Sequence, residues 1–256
     1  MIYARVRLGR RSFFALVEGD SVRPLRGPLF GRHTPADFVI PLSQVQLLAP
    51  VRPGKILAAA VNYQSHVQQS RSLLGDVPAR PELFLKPASA VVGPGEPIVL
   101  PKGEERVDYE GELVAIIGRP CRRVTPDEAL EYVFGYTCGN DVSARTWQRG
   151  DLQWWRAKGA DTFAPLGPWI VTGLNPRRLR LRTRLNGRVV QEASTADLIY
   201  GVAELVSFAS QVMTLEPGDA IFTGTPGDTG PLRAGDVVEV EIEGIGVLRN
   251  SVIAEE

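Results

Sequence analysis

Several short stretches of the chain alternate apolar with polar residues, a period of two that is typical of β-strands with one buried face. The clearest is 179–185, where leucines alternate with arginines. Asn186-Gly187 follows directly, and this dipeptide favours the tight turn of a β-hairpin. Similar alternation marks 2–8 and 237–242, and a further strand is expected near 13–17. The pattern therefore predicts a mostly β chain.

Two stretches show helical signals instead. Apolar residues recur at helical spacing from 198 to 212, and the helix is expected to end before the turn Glu216-Pro217-Gly218-Asp219. Thr125 and Glu128, three positions apart, can form a capping box, and Pro126 suits the first position of a helix. Together they predict a helix through about Tyr132. The expected fold class is mostly β with a few helices, an α+β chain.

Prolines and glycines divide the chain near residue 54. They are frequent in loops between residues 24 and 54, ending in Pro53-Gly54. Residues 55–61 then have the composition of a buried strand, and Asn62 is placed to cap a short helix after it. We predict a small β-rich N-terminal unit with its linker over 1–54 and a main domain over 55–256.

Composition narrows the class of protein. The 256 residues include 29 basic and 29 acidic side chains, so no broad field favours nucleic acid or an anionic membrane surface. No apolar run approaches the length needed to span a membrane, and no signal segment opens the chain. Two cysteines are too few for a disulfide framework, and a cytoplasmic location is expected. Two histidines are too few for a zinc site built from several histidines.

The pair Glu110 and Glu112 is the first candidate for chemistry. If residues 107–117 form one strand, both carboxylates point to the same face. Their repulsion raises at least one pKa unless a cation lies between them, and a divalent metal ion would do so. The alternative reading is a solvated strand edge carrying two surface glutamates.

Other candidates are ambiguous when each is taken alone. Asp141, Arg145 and Gln148 have the offsets of one helical face, where an ordinary ion pair is the alternative. Lys158 is expected in an irregular loop rich in glycine and proline, although most lysines are simply solvated. The turn Thr223 to Gly227 can bring backbone N–H groups to an anion, but it lacks the lysine of a phosphate-binding loop.

Taken together, these segments resemble the fumarylacetoacetate hydrolase superfamily from about residue 55 to the end. The resemblance rests on the following ordered motifs: Asn62 to His66, Asp108 to Leu113, Asn140 to Arg145, Lys158 to Trp169, Asn186-Gly187, Met213 to Asp219 and Thr223 to Pro226. It implies a mixed β-sandwich roll of the family's C-terminal type, and a homodimer.

The resemblance also implies a site. Mg²⁺ or Mn²⁺ would be held by Glu110, Glu112 and Asp141, since hard cations prefer oxygen ligands. A small 2-oxo acid would chelate the ion, which acts as a Lewis acid on the enolate formed during catalysis. Arg145, Gln148, Lys158 and Thr225 would bind the substrate, and Lys158 would also stabilise the negative charge that develops on the enolate.

His66 matches the family's proton-transferring histidine, and its pKa suits that task. Hydrolases and decarboxylases of the family usually carry a glutamate three residues later, whereas this chain has Gln69, which cannot stabilise an imidazolium as a carboxylate does. The alternative for His66 is a structural role. We predict catalytic roles for His66, Gln69 and Lys158, and a lid over about Gln64 to Pro81.

Three functions remain open from the sequence. The first is an enzyme acting on a 2-oxo or 2-hydroxy-dienoic diacid, most like the 2-hydroxyhepta-2,4-diene-1,7-dioate isomerases and decarboxylases of aromatic-acid degradation. The second is an acylpyruvate hydrolase or oxaloacetate decarboxylase. The third is a 2-oxo-acid binding protein that keeps the metal cage but has little activity.

Overall fold

Strands make up most of the structure, as the alternating pattern predicts. A computed structural model describes residues 1–65 and 78–256. Its strands are β1 (Ile2–Leu8), β2 (Arg11–Glu18), β3 (Ser21–Arg26), β4 (Thr34–Pro35), β5 (Ile40–Pro41), β6 (Gln46–Leu48), β7 (Ile56–Ala60), β8 (Glu82–Lys86), β9 (Val91–Val92), β10 (Ile98–Leu100), β11 (Val107–Tyr109), β12 (Gly111–Ile117), β13 (Val133–Asn140), β14 (Ser143–Ala144), β15 (Ala164–Val171), β16 (Arg180–Leu185), β17 (Arg188–Ser194), β18 (Ala220–Phe222), β19 (Gly230–Pro231), β20 (Val237–Ile242) and β21 (Gly246–Ala254).

Short helices connect these strands. In the described residues the α-helices are α1 (Pro126–Ala129), α2 (Arg145–Gly150), α3 (Trp155–Gly159) and α4 (Val202–Val212), and short 3₁₀ turns lie at Leu42–Gln44, Ala88–Ala90, Leu130–Tyr132 and Thr195–Asp197. The predicted capping box at Thr125 and Glu128 is present, and the helical region ends at Tyr132 as expected.

The longest helix starts later than its apolar spacing predicts. Leu198 was expected on α4, but it forms an isolated antiparallel bridge with Tyr63. Gly201 precedes the helix with a β-type backbone, and its N–H donates to the Glu204 carboxylate. A local cap thus sets the helix start at Val202, and the apolar residue before it packs elsewhere.

The strand β12 is the centre of the core. It lies between β13 and β18 in a 13-stranded sheet of order β4-β3-β2-β1-β15-β13-β12-β18-β7-β8, with β5, β6 and β9 attached at its side, counting the described residues. Every residue of β12 is buried, because its apolar side chains pack on both faces. One face packs against leucines and valines of a second sheet, and the other against Phe222 and Ile170.

Two smaller sheets complete the fold. A five-stranded sheet has the order β10-β21-β20-β16-β17, and includes the hairpin predicted at Asn186-Gly187. A three-stranded sheet of order β14-β11-β19 lies beside the start of β12. The predicted single strand over 107–117 is therefore wrong in one respect, since it is divided at Glu110 into β11 and β12, which belong to different sheets.

The N-terminal strands extend the large sheet. β1 pairs with β15 through Ile2↔Val171 and Tyr3↔Ile170, and Tyr3 belongs to the same apolar cluster as Ile56. The division into 1–54 and 55–256 stays a prediction. None of the helices in the described residues has the length and apolar composition needed to cross a membrane.

Candidate active site

Three carboxylates meet where β13 ends and β12 begins. Glu110, Glu112 and Asp141 are buried, and one oxygen of each lies within 4.8 Å of the others. Glu110 leaves the strand because its N–H donates to the side chain of Asn140 at 2.8 Å, while its carbonyl accepts the Asp141 N–H at 2.8 Å. These bonds connect the end of β13 to the break before β12. The three predicted metal ligands are thus brought together, and the solvated strand edge is excluded.

Lys158 lies inside this cluster. Its ammonium donates to Glu110 Oε2 at 2.8 Å and to Asp141 Oδ2 at 2.6 Å. The prediction that it lies in an irregular loop is wrong, because Lys158 belongs to the short helix α3, where its N–H donates to the Trp154 carbonyl at 2.9 Å. Burial lowers the pKa of Lys158, but the Asp141 and Glu110 carboxylates outweigh this and leave it raised.

A second lysine, which the sequence reasoning missed, contacts the same cluster. Lys86 ends β8, is only 2% exposed, and pairs through its ammonium with Asp141 Oδ1. Burial, with Lys158 nearby, lowers the pKa of Lys86 more than Asp141 raises it. The only local signal was a charged residue at the end of an apolar strand, directly before Pro87.

Arg145 forms the opposite wall of the cluster. Its guanidinium donates to Glu110 Oε1 at 2.6 Å, to Gln148 Oε1 at 2.8 Å and to Asp108 Oδ2 at 2.9 Å. Burial lowers the pKa of Arg145, but Glu110 and Asp108 outweigh it and raise this pKa. The predicted helical face is confirmed for Arg145 and Gln148, which lie on α2, and is wrong for Asp141, which lies between β13 and β14 before the helix begins. Among the described residues, Asp141 pairs with the two lysines, so the alternative of an Asp141–Arg145 pair is excluded.

The turn after β18 reaches the cluster from a third side. The Gly224 N–H donates to Glu112 Oε2 at 2.7 Å, and the Thr225 hydroxyl donates to the Gly111 carbonyl at 2.9 Å. Gly224 has φ +97°, and a Cβ there would lie 2.8 Å from the Cβ of Asn62, so only glycine fits without strain. The turn was predicted to present an N–H to an anion, and the anion that it meets is Glu112.

The electrostatics of Glu112 favour a bound cation. Its Oε1 has no hydrogen-bond partner among the described residues, although it is buried. Burial, then repulsion from Asp141 and Glu110, raises the pKa of Glu112 well above its usual value. An unpaired buried carboxylate oxygen beside two other carboxylates has the donor set that a hard divalent cation prefers. The residues present therefore fit Mg²⁺ or Mn²⁺.

Asn62, two residues before the predicted lid, is fixed by hydrogen bonds to two other segments. Its amide donates to the carbonyls of Tyr200 and Thr223, each at 2.8 Å, and its oxygen accepts the Tyr200 N–H at 2.9 Å. His66 and Gln69, and most of the predicted lid, fall within 66–77 and lie outside the described residues. Their roles stay predictions.

The chain matches a known family over most of its length. Residues 55–253 match the family model described as fumarylacetoacetate (FAA) hydrolase C-terminal. The chain belongs to this family. Residues 1–50 match a second model, described as Rv2993c-like, N-terminal. The fumarylacetoacetate hydrolase membership confirms the fold class expected from the sequence motifs, a mostly β roll of this type.

Similar proteins differ in the reaction named for them. A 2-hydroxyhepta-2,4-diene-1,7-dioate isomerase from Mycobacterium marinum is 44% identical, with a TM-score of 0.92 over 100% of this chain and 99% of that chain. A maleylpyruvate hydrolase from Sphingobium sp. SYK-6, solved with manganese(II) and pyruvate, is 32% identical, with a TM-score of 0.82 over 100% of both chains. The mitochondrial oxaloacetate tautomerase Fahd2a of Rattus norvegicus is 40% identical over 84% of this chain and 72% of its own length.

Proposed function

We propose that this chain is a divalent-metal-dependent enzyme that moves a proton between the enol and keto forms of a small 2-oxo diacid. Its substrate class is that of 2-hydroxyhepta-2,4-diene-1,7-dioate. The observation that carries the proposal is the buried contact of Lys158 with both Glu110 and Asp141, which sets a fixed cation beside a carboxylate cluster. The 44% identity to an isomerase of that diacid supports the choice of reaction.

The cation would be Mg²⁺ or Mn²⁺, held by Glu110, Glu112 and Asp141. When bound, it would supply Lewis-acid polarisation of the 2-oxo group. The unpaired Oε1 of Glu112 supports this assignment, because no protein donor among the described residues satisfies it. The manganese(II) ion in the related maleylpyruvate hydrolase supports a divalent ion of this kind.

Charge balance in the site favours two negative charges at the reacting end of the substrate. When the three metal ligands are ionised, they and Asp108, to which Arg145 also donates, are four carboxylates. Four protein cations match them: Lys86, Lys158, Arg145 and Arg106, the last of which pairs with Asp108. Adding a divalent cation leaves two positive charges in a buried space. The end of the diacid that would chelate the ion, its 1-carboxylate with the 2-oxo group, carries one negative charge and gains a second when the enolate forms. The site therefore stabilises the enolate more than the neutral keto group, which is the requirement for catalysis.

The protein side chains supply binding and proton transfer. Arg145 and Gln148 would orient the substrate carboxylates, since a guanidinium recognises a carboxylate with two parallel donors. Lys158 would stabilise the oxygen on which charge develops. His66 is the residue we propose for moving the proton, with Gln69 as its hydrogen-bond partner, both on the basis of the sequence motif.

Oxaloacetate is the second candidate substrate, because a tautomerase of oxaloacetate is 40% identical over most of this chain. The proton transfer would be the same on a shorter diacid. Acylpyruvate hydrolysis and oxaloacetate decarboxylation instead break a C–C bond, and hydrolysis needs an activated water. A binding protein with little activity would hold oxalate with Mg²⁺ and turn over none of these compounds.

A substrate panel separates these functions. The protein is incubated with Mg²⁺ or Mn²⁺ and with the hydroxy-dienoic diacid, oxaloacetate or an acylpyruvate, and the products are followed by NMR. We expect isomerisation of the dienoic diacid without loss of carbon. Turnover of acylpyruvate alone would reject the isomerase, and oxalate binding without any turnover would favour the binding protein.

A further inference from the structure

Gln191 is a buried polar residue on an otherwise open edge strand. β17 forms the edge of the five-stranded sheet, and Arg188, Val189 and Glu192 on it are exposed. Gln191 is only 2% exposed. Burying an amide without partners is costly, so its position requires hydrogen bonds that offset the loss of water.

The amide of Gln191 contacts both sides of the candidate site. Its Oε1 accepts the N–H of Gly111, the residue between Glu110 and Glu112, at 3.1 Å. Its Nε2 lies 3.0 Å from Thr225 Oγ1, 3.2 Å from the Pro226 carbonyl and 3.1 Å from the Gly227 carbonyl. Because carbonyl oxygens only accept, the nitrogen of the amide must face the turn, and this fixes its orientation.

A β-bulge directs Gln191 toward the site. In the β16–β17 pair, Thr183 lies opposite Gln191, but the next residue, Arg184, lies opposite Val189, so the register shifts by one residue. Bulges of this kind re-aim a side chain and are frequent near active sites. The seven described residues predicted for the site lie outside this sheet, and Gln191 brings a side-chain amide from the sheet to the site.

Close packing leaves little room for Gly111 to move. A Cβ at Gly111 would lie 2.1 Å from Thr183 Oγ1 and 3.4 Å from Gln191 Oε1. The Thr225 hydroxyl donates to the carbonyl of the same glycine. Gly111 and Thr225 are therefore joined twice, once directly and once through the Gln191 amide.

We propose that Gln191 is a positioning residue, which holds the Thr225 turn at a fixed separation from the segment carrying Glu110 and Glu112. That separation sets the space in which a chelating 2-oxo acid would bind. The inference rests on the proposed function for the ligand, while the hydrogen bonds that carry it belong to the protein alone.

The test uses Gln191→Met, which keeps the length and apolar volume of the side chain but removes its hydrogen bonds. Calorimetric titration measures oxalate binding in the presence of Mn²⁺. We expect oxalate affinity to fall about tenfold, since several neutral hydrogen bonds that orient the turn are lost. Gln211→Met is the matched control, because the Gln211 amide also donates to a carbonyl, that of Val124 at 2.9 Å, but lies on α4 away from the cluster. It should bind oxalate as the wild type does.

A double-mutant cycle distinguishes positioning from general support of the fold. If Gln191 acts through the turn, Gln191→Met adds little to the loss of oxalate affinity caused by Thr225→Val, whereas unrelated effects would multiply. Hydrogen exchange provides a readout without ligand: the Gly111 amide should exchange faster in Gln191→Met and at the wild-type rate in Gln211→Met. Gln191→Asn, which keeps the amide but shortens its reach, replaces Gln191→Met if the latter does not fold.

The possible failures are distinct. If the wild type does not bind oxalate with Mn²⁺, the proposed function fails and the inference fails with it. If the wild type binds oxalate and Gln191→Met binds it equally well, only the role of Gln191 is overturned. Multiplicative losses in the cycle, or unchanged exchange at Gly111, would also overturn that role.

Discussion

At the scale of single residues, Glu112 shows how function and stability oppose each other. Its buried carboxylate has one oxygen without a protein donor, beside Glu110 and Asp141. A carboxylate that binds a metal ion has an oxygen without a protein donor when the ion is absent. This unpaired oxygen lowers the stability of the metal-free protein. Residues selected for binding in this way commonly reduce stability.

Glu112→Gln should stabilise the metal-free protein and strongly weaken metal binding. The neutral amide can still accept the Gly224 N–H, and its NH₂ can donate toward the neighbouring carboxylates. We expect Tm to rise by roughly 2–4 °C, which corresponds to about 1 kcal/mol in a chain of this size. Mn²⁺ affinity should fall by a factor of about 100 or more, because one of three charged ligands is neutralised. Calorimetry measures both, with Glu239→Gln on β20 as a control; a lower Tm with unchanged Mn²⁺ affinity would contradict the assignment.

Lys158→Met should separate metal binding from turnover. The Lys158 ammonium contacts Glu110 and Asp141, two of the proposed ligands, and would repel the ion, so its removal should leave Mn²⁺ affinity unchanged or higher. Turnover should fall about 10²–10³-fold, the usual effect of losing one group that stabilises developing charge. The exposed Lys102→Met is the control. Loss of Mn²⁺ binding together with activity would show that Lys158 acts only by holding the metal ligands in position.

Local motifs identified the carboxylate cluster, Arg145, Gln148 and the Thr225 turn. Lys86 and Gln191 were missed because each reaches the cluster from a strand distant in sequence. Gln191 contacts Gly111 across 80 positions, and Lys86 contacts Asp141 across 55. No local pattern at either residue predicts which side chain it meets.

At the scale of elements, strand and helix ends are set by hydrogen bonds that local sequence shows only in part. The capping box at Thr125 and the hairpin at Asn186-Gly187 were predicted because their signals are local. The break at Glu110 was not, since it depends on Asn140, thirty residues away. Leu198 likewise leaves the helical pattern to pair with Tyr63.

The cap of α1 should make stability depend on pH through Glu128. The Thr125 N–H and hydroxyl both donate to the Glu128 carboxylate and lower its pKa below the usual 4.5. Because the folded-state pKa lies below that of the unfolded chain, the carboxylate stabilises the fold above pH 4.5, and this contribution is lost as the pH falls through the folded-state pKa. Wild type should have a higher Tm than Glu128→Gln at pH 7, and the difference should vanish in acid. A difference independent of pH would be inconsistent with this cap.

At the scale of the whole molecule, distant segments share one sheet. β1 pairs with β15 some 170 residues later, and Ala4 and Val6 on β1 are fully buried. Sequence patterns predicted the N-terminal strands but not their partner, because pairing over such a separation depends on tertiary packing. The predicted boundary near residue 54 divides two stretches of sequence that contribute to a common sheet.

This continuity predicts cooperative unfolding. Scanning calorimetry of the metal-free chain should show one transition, with calorimetric and van't Hoff enthalpies that agree. Two separate transitions would mean that 1–54 unfolds independently. The homodimer implied by the family resemblance is tested in the same samples by sedimentation equilibrium, where a mass of twice 27.9 kDa is expected.

The central claim is that a carboxylate-held divalent cation and Lys158 together stabilise an enolate. Proton NMR in D₂O tests it directly, by following exchange of the C3 protons of a 2-oxo diacid with solvent. We expect exchange that requires both the protein and Mg²⁺ and stops on addition of a chelator. It should fall to the rate of Mg²⁺ alone with Glu112→Gln, and about 10²–10³-fold with Lys158→Met. Exchange by the wild type that does not exceed Mg²⁺ alone would contradict the claim.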